Sequence, residues 1–150
     1  MRLKQYTDYG LRLLIYLAAR PDYDASVREV AEAYGISKAH LDKAALQLTS
    51  EGVLKSRRGR GGGVRLSSQP ERILVGTVVR LLEPDFNLVE CMRPDNACAI
   101  TPACELREIC REARAAVLAV FDRYTLADVV RGGERRAAIC QLLAIPIGEP

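Results

Sequence analysis

Apolar residues recur three and four positions apart in several stretches of the chain, the spacing of helices with one buried face. Leu11, Leu14, Ile15 and Ala18 form the first set. Thr7 precedes Asp8 there, which predicts a helix capped by Thr7, with the Asp8 charge at the positive end of its dipole and Pro21 as its stop. Ser26 with Glu29 three residues on reads as a capping box. Val27, Val30, Ala31 and Tyr34 then form an inner face, and Gly35 ends the helix. Ser37 opens a third helix over residues 38–51, with Leu41, Ala44, Ala45 and Leu48 inward and Gly52 closing it. Two helices joined by a short turn containing glycine have the spacing of a helix-turn-helix.

The period changes after Gly52. Val53-Leu54-Lys55-Ser56 reads as a strand, residues 57–63 as a glycine-rich turn, and Val64-Arg65-Leu66 as the returning strand. A hairpin directly after a helix-turn-helix predicts a winged helix, so the fold class is mainly α with a small β-hairpin wing. Between Gly52 and Pro70 stand five Lys/Arg and no acid. A phosphate cradle for a nucleotide is disfavoured, because GxxxxGK[ST] is absent and no helix follows the loop at once. Charge points the same way: residues 1–70 carry a net +5 and residues 71–150 a net −2. The outer face of the third helix is expected to be Lys38, His40, Lys43 and Gln47. Its N-terminal residues are those that reach base edges in a helix-turn-helix. The expected DNA contacts are Ser37, Lys38, His40 and Lys43 on the helix and Arg57, Arg58 and Arg60 on the wing, with Gln47 nearer the phosphate backbone. His40 reads equally as an exposed polar residue, and the wing as a solvated loop without a partner.

From Pro70 the pattern opens a second region. Val75, Val78, Val79 and Leu82 mark an apolar helix over residues 73–82, ended by Pro84 and expected to pack beneath the winged helix. Residues 83–104 lose all periodicity and carry Cys91, Cys98 and Cys104, spaced C-x6-C-x5-C. No apolar run approaches the ~18 residues of a membrane span, and no signal-peptide core follows Met1. The chain is therefore expected to be cytoplasmic, where thiols stay reduced and a disulfide framework is excluded. Three cysteines in a proline-broken loop suggest a metal. Structural zinc prefers closely paired knuckles, whereas wide spacings suit a polynuclear iron–sulfur cluster, 4Fe-4S or 2Fe-2S. Three unliganded thiols are the plainer alternative. Beyond Glu105, Leu106, Ile109, Ala113, Ala116, Val117, Val120, Phe121 and Tyr124 make a seam nearly five turns long, which predicts a homodimer. Cys110 lies beside the seam. Thr125 and Asp128 cap a short helix that Gly132-Gly133 ends, and Cys140 falls in a weakly patterned tail. The expected division is a DNA-binding domain over 1–70, a linker helix, cysteine loop (83–104) and dimerisation helix (105–124) within 71–131, and a tail over 132–150.

Several motifs together resemble a known family. They are Met1-Arg2-Leu3 with Tyr6-Thr7-Asp8-Tyr9-Gly10-Leu11-Arg12, the wing from Arg57 to Leu66, and Val89-Glu90-Cys91. Ile100-Thr101-Pro102-Ala103-Cys104 and Tyr124-Thr125-Leu126-Ala127-Asp128-Val129 complete the set. The chain, over residues 1 to about 131, resembles the iron–sulfur winged-helix transcriptional repressors, and their nitric-oxide-sensing members more than their cluster-biogenesis regulators. The resemblance implies that Cys91, Cys98 and Cys104 bind the cluster and that Asp8 of the partner subunit is the fourth ligand. The histidine ligand of the biogenesis regulators has no counterpart, since Arg107 and Glu108 stand at its place. Six residues separate Cys91 from Cys98, where five or fewer are usual in the family. The implied activity is not enzymatic. It is repression at a double-stranded DNA operator, relieved when nitric oxide attacks the cluster, with no membrane involved. A carboxylate is a hard, weak ligand to iron beside thiolate, so Asp8 would be released first. Alternatives are a regulator of cluster biogenesis or redox status, a zinc- or thiol-based redox repressor, and an electron-transfer subunit.

Overall fold

The computed structural model describes residues 3–57, 59, 62–83 and 85–146. The winged-helix half is built from α1 (Gln5–Ala19), β1 (Asp24–Ala25), α2 (Val27–Tyr34), α3 (Lys38–Ser50), β2 (Leu54–Arg57) and β3 (Gly63–Leu66). The chain continues through α4 (Val75–Leu82), the cysteine loop, α5 (Leu106–Asp122), α6 (Leu126–Val129) and α7 (Gly133–Leu142).

The core lies where α1 crosses α3. Leu13, Leu14 and Leu17 of α1 meet Leu41 and Leu48 of α3, all fully buried, with Val30 of α2 and Val78 and Leu82 of α4 closing the sides. Ser26 caps α2 by accepting the Glu29 N–H, as its spacing predicts. The Glu29 side chain does not return to Ser26. It accepts from the Tyr16 hydroxyl and Arg20 and so ties α2 to the end of α1. Gly35 ends α2 in the left-handed region, φ 62°, where glycine carries no steric cost.

The wing hairpin forms in the expected place, with Leu54 opposite Leu66 and Lys55 opposite Arg65. A third strand has no signal in the sequence: β1, only two residues long, pairs with β3 and gives the antiparallel order β1-β3-β2. Gly63 permits that pairing, because a Cβ there would sit inside contact distance of the Ala25 carbonyl.

Two local expectations need correction. Thr7 does not cap α1, which starts earlier at Gln5 with Lys4 as N-cap. Thr7 is wholly buried, and its hydroxyl bonds to the end of α4 instead. The residues after Gly132, weakly patterned in the sequence, are helical. They form α7, which lies on the end of α1: Arg136 Nε donates to the Ala19 carbonyl at 2.8 Å, and the buried Cys140 thiol reaches the same oxygen at 3.6 Å. Ile139, Leu143 and the buried Ile145 pack against the core beside these contacts, too few apolar positions to make a clear periodic signal.

α4 joins the two halves. At its start, Leu74 bridges Thr125, and Leu126 donates to the Ile73 carbonyl at 2.7 Å. Nearly two turns on, Arg80 grips Asp122 of α5 with two parallel bonds of 2.6 and 2.7 Å. The cross-sheet approach at Gly63 gives a direct test. Gly63→Ala must push β1 away from β3 and is expected to cost about 1–3 kcal/mol in urea unfolding. Unchanged stability would show that the sheet does not depend on this close approach.

Candidate nucleic-acid interface and cysteine loop

The DNA-facing candidates lie at the start of α3 and on the wing. Ser37, Lys38, His40 and Lys43 are all exposed. Ser37 is the N-cap of α3 but makes no side-chain cap bond, which leaves its hydroxyl available. Lys38 pairs with Asp42 one turn on, Nζ to Oδ2 at 2.6 Å, in an ion pair about half exposed on both sides. Such pairs are worth roughly 0–1 kcal/mol, so a phosphate can recruit the lysine at little cost. The His40 ring stands 6.3 Å from that of Tyr9. Arg57 ends β2 and pairs with Asp24 of β1 at 3.1 Å. Arg58 and Arg60 lie outside the described residues. A concavity lined by Ser26, Arg28, Lys38, Asp42, Gly62 and Gly63 runs between α2, α3 and the returning strand.

Gln47 is not on the outer face. Its Nε2 donates to the Leu81 carbonyl at 2.6 Å, and its Oε1 accepts the Tyr6 hydroxyl at 2.5 Å. It sits a turn beyond Lys43 on the side where α3 passes both α1 and the end of α4, and polarity alone does not tell that side from solvent.

The end of α4 is densely bonded. A helix leaves its last carbonyls without intrahelical partners. Here Gln47 of α3 serves Leu81, and the Thr7 hydroxyl of α1 shares its one proton between the Leu82 carbonyl and Glu83. The next residue, Glu83, is buried with its carboxylate. Its Oε2 accepts the Lys4 N–H at 2.9 Å and the Thr7 hydroxyl at 2.7 Å, and Lys4 Nζ lies 3.3 Å from Oε1. Burial by itself would raise the Glu83 pKa. The Lys4 N–H, the Thr7 hydroxyl and the Lys4 ammonium outweigh it and hold the carboxyl below its ordinary value. Sequence reasoning does not mark Thr7 or Glu83 as site residues, because their only signal is a polar residue beside an apolar run.

The cysteine loop leaves from Glu83. Single turns of 3-10 helix over Glu90–Met92 and Thr101–Ala103 are its regular structure. Side chains brace the rest. Asp85 accepts from Asn87 and Arg93, and the Asn87 backbone N–H foremost holds its carboxyl below the ordinary value against desolvation. Glu90 accepts the Ala97 N–H, and Thr101 donates to Asn96. Cys91 and Cys104 are half-buried, Cys98 is exposed, and all three are free thiols. Among the described residues no three Cys, His, Asp or Glu side chains converge at metal-binding range. Sulfur is nevertheless the donor that iron–sulfur clusters use, and three thiols on one loop leave a fourth position to be filled from elsewhere. Asp8 lies in the first turn of α1, half-exposed, and pairs with Arg12 at 2.8 Å. Cys110 is half-buried on α5.

Comparison with known proteins places this architecture. Residues 3–132 match the Rrf2 family, described as iron-dependent transcriptional regulators. The chain is 49% identical over 136 residues to the HTH-type transcriptional regulator NsrR of Bacillus subtilis strain 168, covering 89% of this chain and 93% of that one. It is 43% identical over 143 residues to the regulator of the same name from Shouchella clausii, covering 94% and 96%. Among solved structures it resembles CymR, the global cysteine regulator of B. subtilis, with a TM-score of 0.65 at 28% identity over 86% of this chain and 95% of that one. IscR of T. potens gives a TM-score of 0.65 at 25% identity over 87% and 86%.

The knot at Glu83 makes a pH prediction. A carboxyl held lower in the folded than in the unfolded chain stabilises the fold above its unfolded pKa, and that contribution is lost as pH falls through the folded value. Glu83→Gln should therefore lower stability at neutral pH by about 1.5–3 kcal/mol, the range for hydrogen bonds to a charged group. The gap to wild type should close below about pH 4.5, the ordinary value for this group. Denaturant titrations at several pH values measure it, and a gap independent of pH would mean the carboxylate charge is not what binds α1. The winged helix, its basic exposed face and these matches agree: the chain belongs to the Rrf2 family of iron-dependent transcriptional regulators and is a DNA-binding regulator, not an enzyme.

Proposed function

We propose that this protein is a homodimeric repressor that holds an iron–sulfur cluster, 4Fe-4S or 2Fe-2S, and releases its operator when nitric oxide attacks that cluster. The observation that carries the reading is where the cysteine loop is rooted. It springs from the end of α4, which is hydrogen-bonded on one side to the first turn of α1 and on the other to α3. The motifs shared with nitric-oxide-sensing repressors and the 43–49% identity to proteins named NsrR favour nitric oxide as the signal. The cluster, when bound, supplies thiolate-held iron as the target of nitric oxide. Cys91, Cys98 and Cys104 would hold it, with Asp8 of the partner subunit as the fourth donor.

The second copy also accounts for α5. Leu106, Ile109, Ala113, Ala116, Val120 and Tyr124 recur at three- and four-residue spacing along one face, and α5 has no buried residue. A seam of this length is covered by the same helix of a twofold partner. Such a dimer presents two recognition helices to a pseudo-palindrome with half-sites about one helical turn apart. No described helix is long and apolar enough to cross a membrane. The place of action proposed is the cytoplasm, beside the DNA.

Iron and sulfide analysis of anaerobically purified protein, with its visible spectrum, tests the reading. Cys91→Ala, Cys98→Ala and Cys104→Ala should each abolish the cluster absorbance, whereas Cys110→Ala and Cys140→Ala should keep it. Asp8→Asn should fold normally and weaken cluster retention or its effect on DNA binding. Zinc in place of iron, or a bleached Cys110→Ala protein, would replace this ligand set.

The DNA face is tested separately. Lys38→Ala with Lys43→Ala should weaken operator binding and flatten the slope of log affinity against log salt by roughly 0.9 for each phosphate left without its lysine. The fold should be unaffected, since both side chains are exposed. An unchanged salt slope would take the start of α3 off the phosphate backbone.

A further inference from the structure

Gln47 is a polar helix residue whose amide is bonded inside the protein at both its oxygen and its nitrogen. We infer that Gln47 is the positioning residue through which the state of the cysteine loop reaches the recognition helix, with Tyr6 as its second anchor. The inference rests on the function proposed above, since it names how the two sites of that reading communicate.

Three contacts make the path continuous. The loop begins at Glu83, and two residues earlier the Leu81 carbonyl accepts Gln47 Nε2 at 2.6 Å. Gln47 Oε1 accepts the Tyr6 hydroxyl at 2.5 Å, and the same hydroxyl lies 3.1 Å from the Lys43 carbonyl, one turn back along α3. Tyr6 stands in the first turn of α1 beside Thr7, which is bonded to Leu82 and Glu83, and two residues before Asp8. α1 and α4 cannot slide independently at this point. Gly10 faces Leu82 so closely that a Cβ there would overlap the leucine side chain. A displacement of the α4 end or of the α1 first turn therefore arrives at Gln47 from both sides. Gln47 lies on the helix that carries Lys38, His40 and Lys43 on its outer face.

A glutamine that merely packs would affect stability alone. One that couples must change how DNA affinity depends on the cluster. Operator affinity is measured for iron-loaded and iron-free protein, in wild type, Tyr6→Phe and Gln47→Met, with iron content and thermal midpoint alongside. Both substitutions keep side-chain volume, and Tyr6→Phe removes one oxygen from a half-exposed site. The ratio of the two affinities should fall about fivefold or more in each variant at unchanged iron content. Folded, fully loaded variants with the wild-type ratio would overturn the inference.

A second measurement needs no cluster. In iron-free protein, Glu83→Gln should lower hydrogen-exchange protection of the α3 amides from Lys43 to Leu48, and should do so far less in a Gln47→Met background. Non-additive effects support the coupling, and additive ones overturn it. A wild-type protein whose affinity ignores iron would count against the proposed function, and the exchange cycle would still decide the role of Gln47.

Discussion

A carboxylate is rarely buried unless its partners repay the loss of water, and Glu83 is the place where this molecule meets that condition. Lys4, the N-cap residue of α1, offers no side-chain cap. Glu83, from the end of α4, accepts the N–H of Lys4 itself, the bond that an acid three residues into the helix makes in a capping box, and sets a negative charge at the positive end of the α1 dipole. The same carboxylate receives the Thr7 hydroxyl, so α1 begins where α4 ends. Remove the charge, and the Lys4 N–H and the Thr7 hydroxyl lose their strong acceptor in a place shielded from water. The position of Asp8, the departure of the cysteine loop and the seat of Gln47 all follow from this knot.

α4 is short for the number of elements it fixes, and its sequence explains how. Its inner residues Val78, Val79 and Leu82 are buried, whereas Gly76 and Arg80 serve the other side. At Gly76 a side chain would collide with the Asp122 carboxylate, so glycine lets α5 come close enough for Arg80 to grip that residue with both nitrogens. One end of α4 thus holds the long helix and the other holds the DNA-binding half. The cysteine loop bridges the same two bodies, from Glu83 to the start of α5. The end of α4 is also where the loop comes nearest in sequence to a direct bond with α3, through Leu81 and Gln47.

The fold is most legible in the sequence where one physical signal dominates over a turn or more. Apolar periodicity locates α2, α3, α4 and α5, and the Thr125–Asp128 capping box is present with both its bonds. The wing follows from a change of period and a glycine run. The failures share a cause: each depends on an atom from a distant segment. β1 has two residues and exists because β3 passes beside it. α7 is held by the Ala19 carbonyl, far away in the chain. Thr7 has the residue type of a cap, but its hydroxyl finds stronger acceptors on α4. Gln47 has the polarity of a solvent-facing residue and is bonded inward. For the candidate site, residue types stand out, since cysteines in an unpatterned loop are conspicuous without any geometry. The buried polar contacts that connect loop to helix are not.

The size of these contacts limits what they can do alone. Reversing a population from 99:1 to 1:99 takes about 5.5 kcal/mol of differential stability. A neutral hydrogen bond contributes roughly 0.5–1.5 kcal/mol net, and one to a charged group roughly 1.5–3 kcal/mol. The bonds at the end of α4 are together comparable with that differential stability in one subunit and fall short of it if only part of them changes. In the proposed dimer, two copies acting on one operator would count each change twice and would reach the required difference without any single bond being exceptional. On the proposed DNA face, weak, half-exposed pairs such as Lys38–Asp42 suit such an arrangement. A switch that shifts a modest free energy works only if the contacts it controls are themselves easily exchanged.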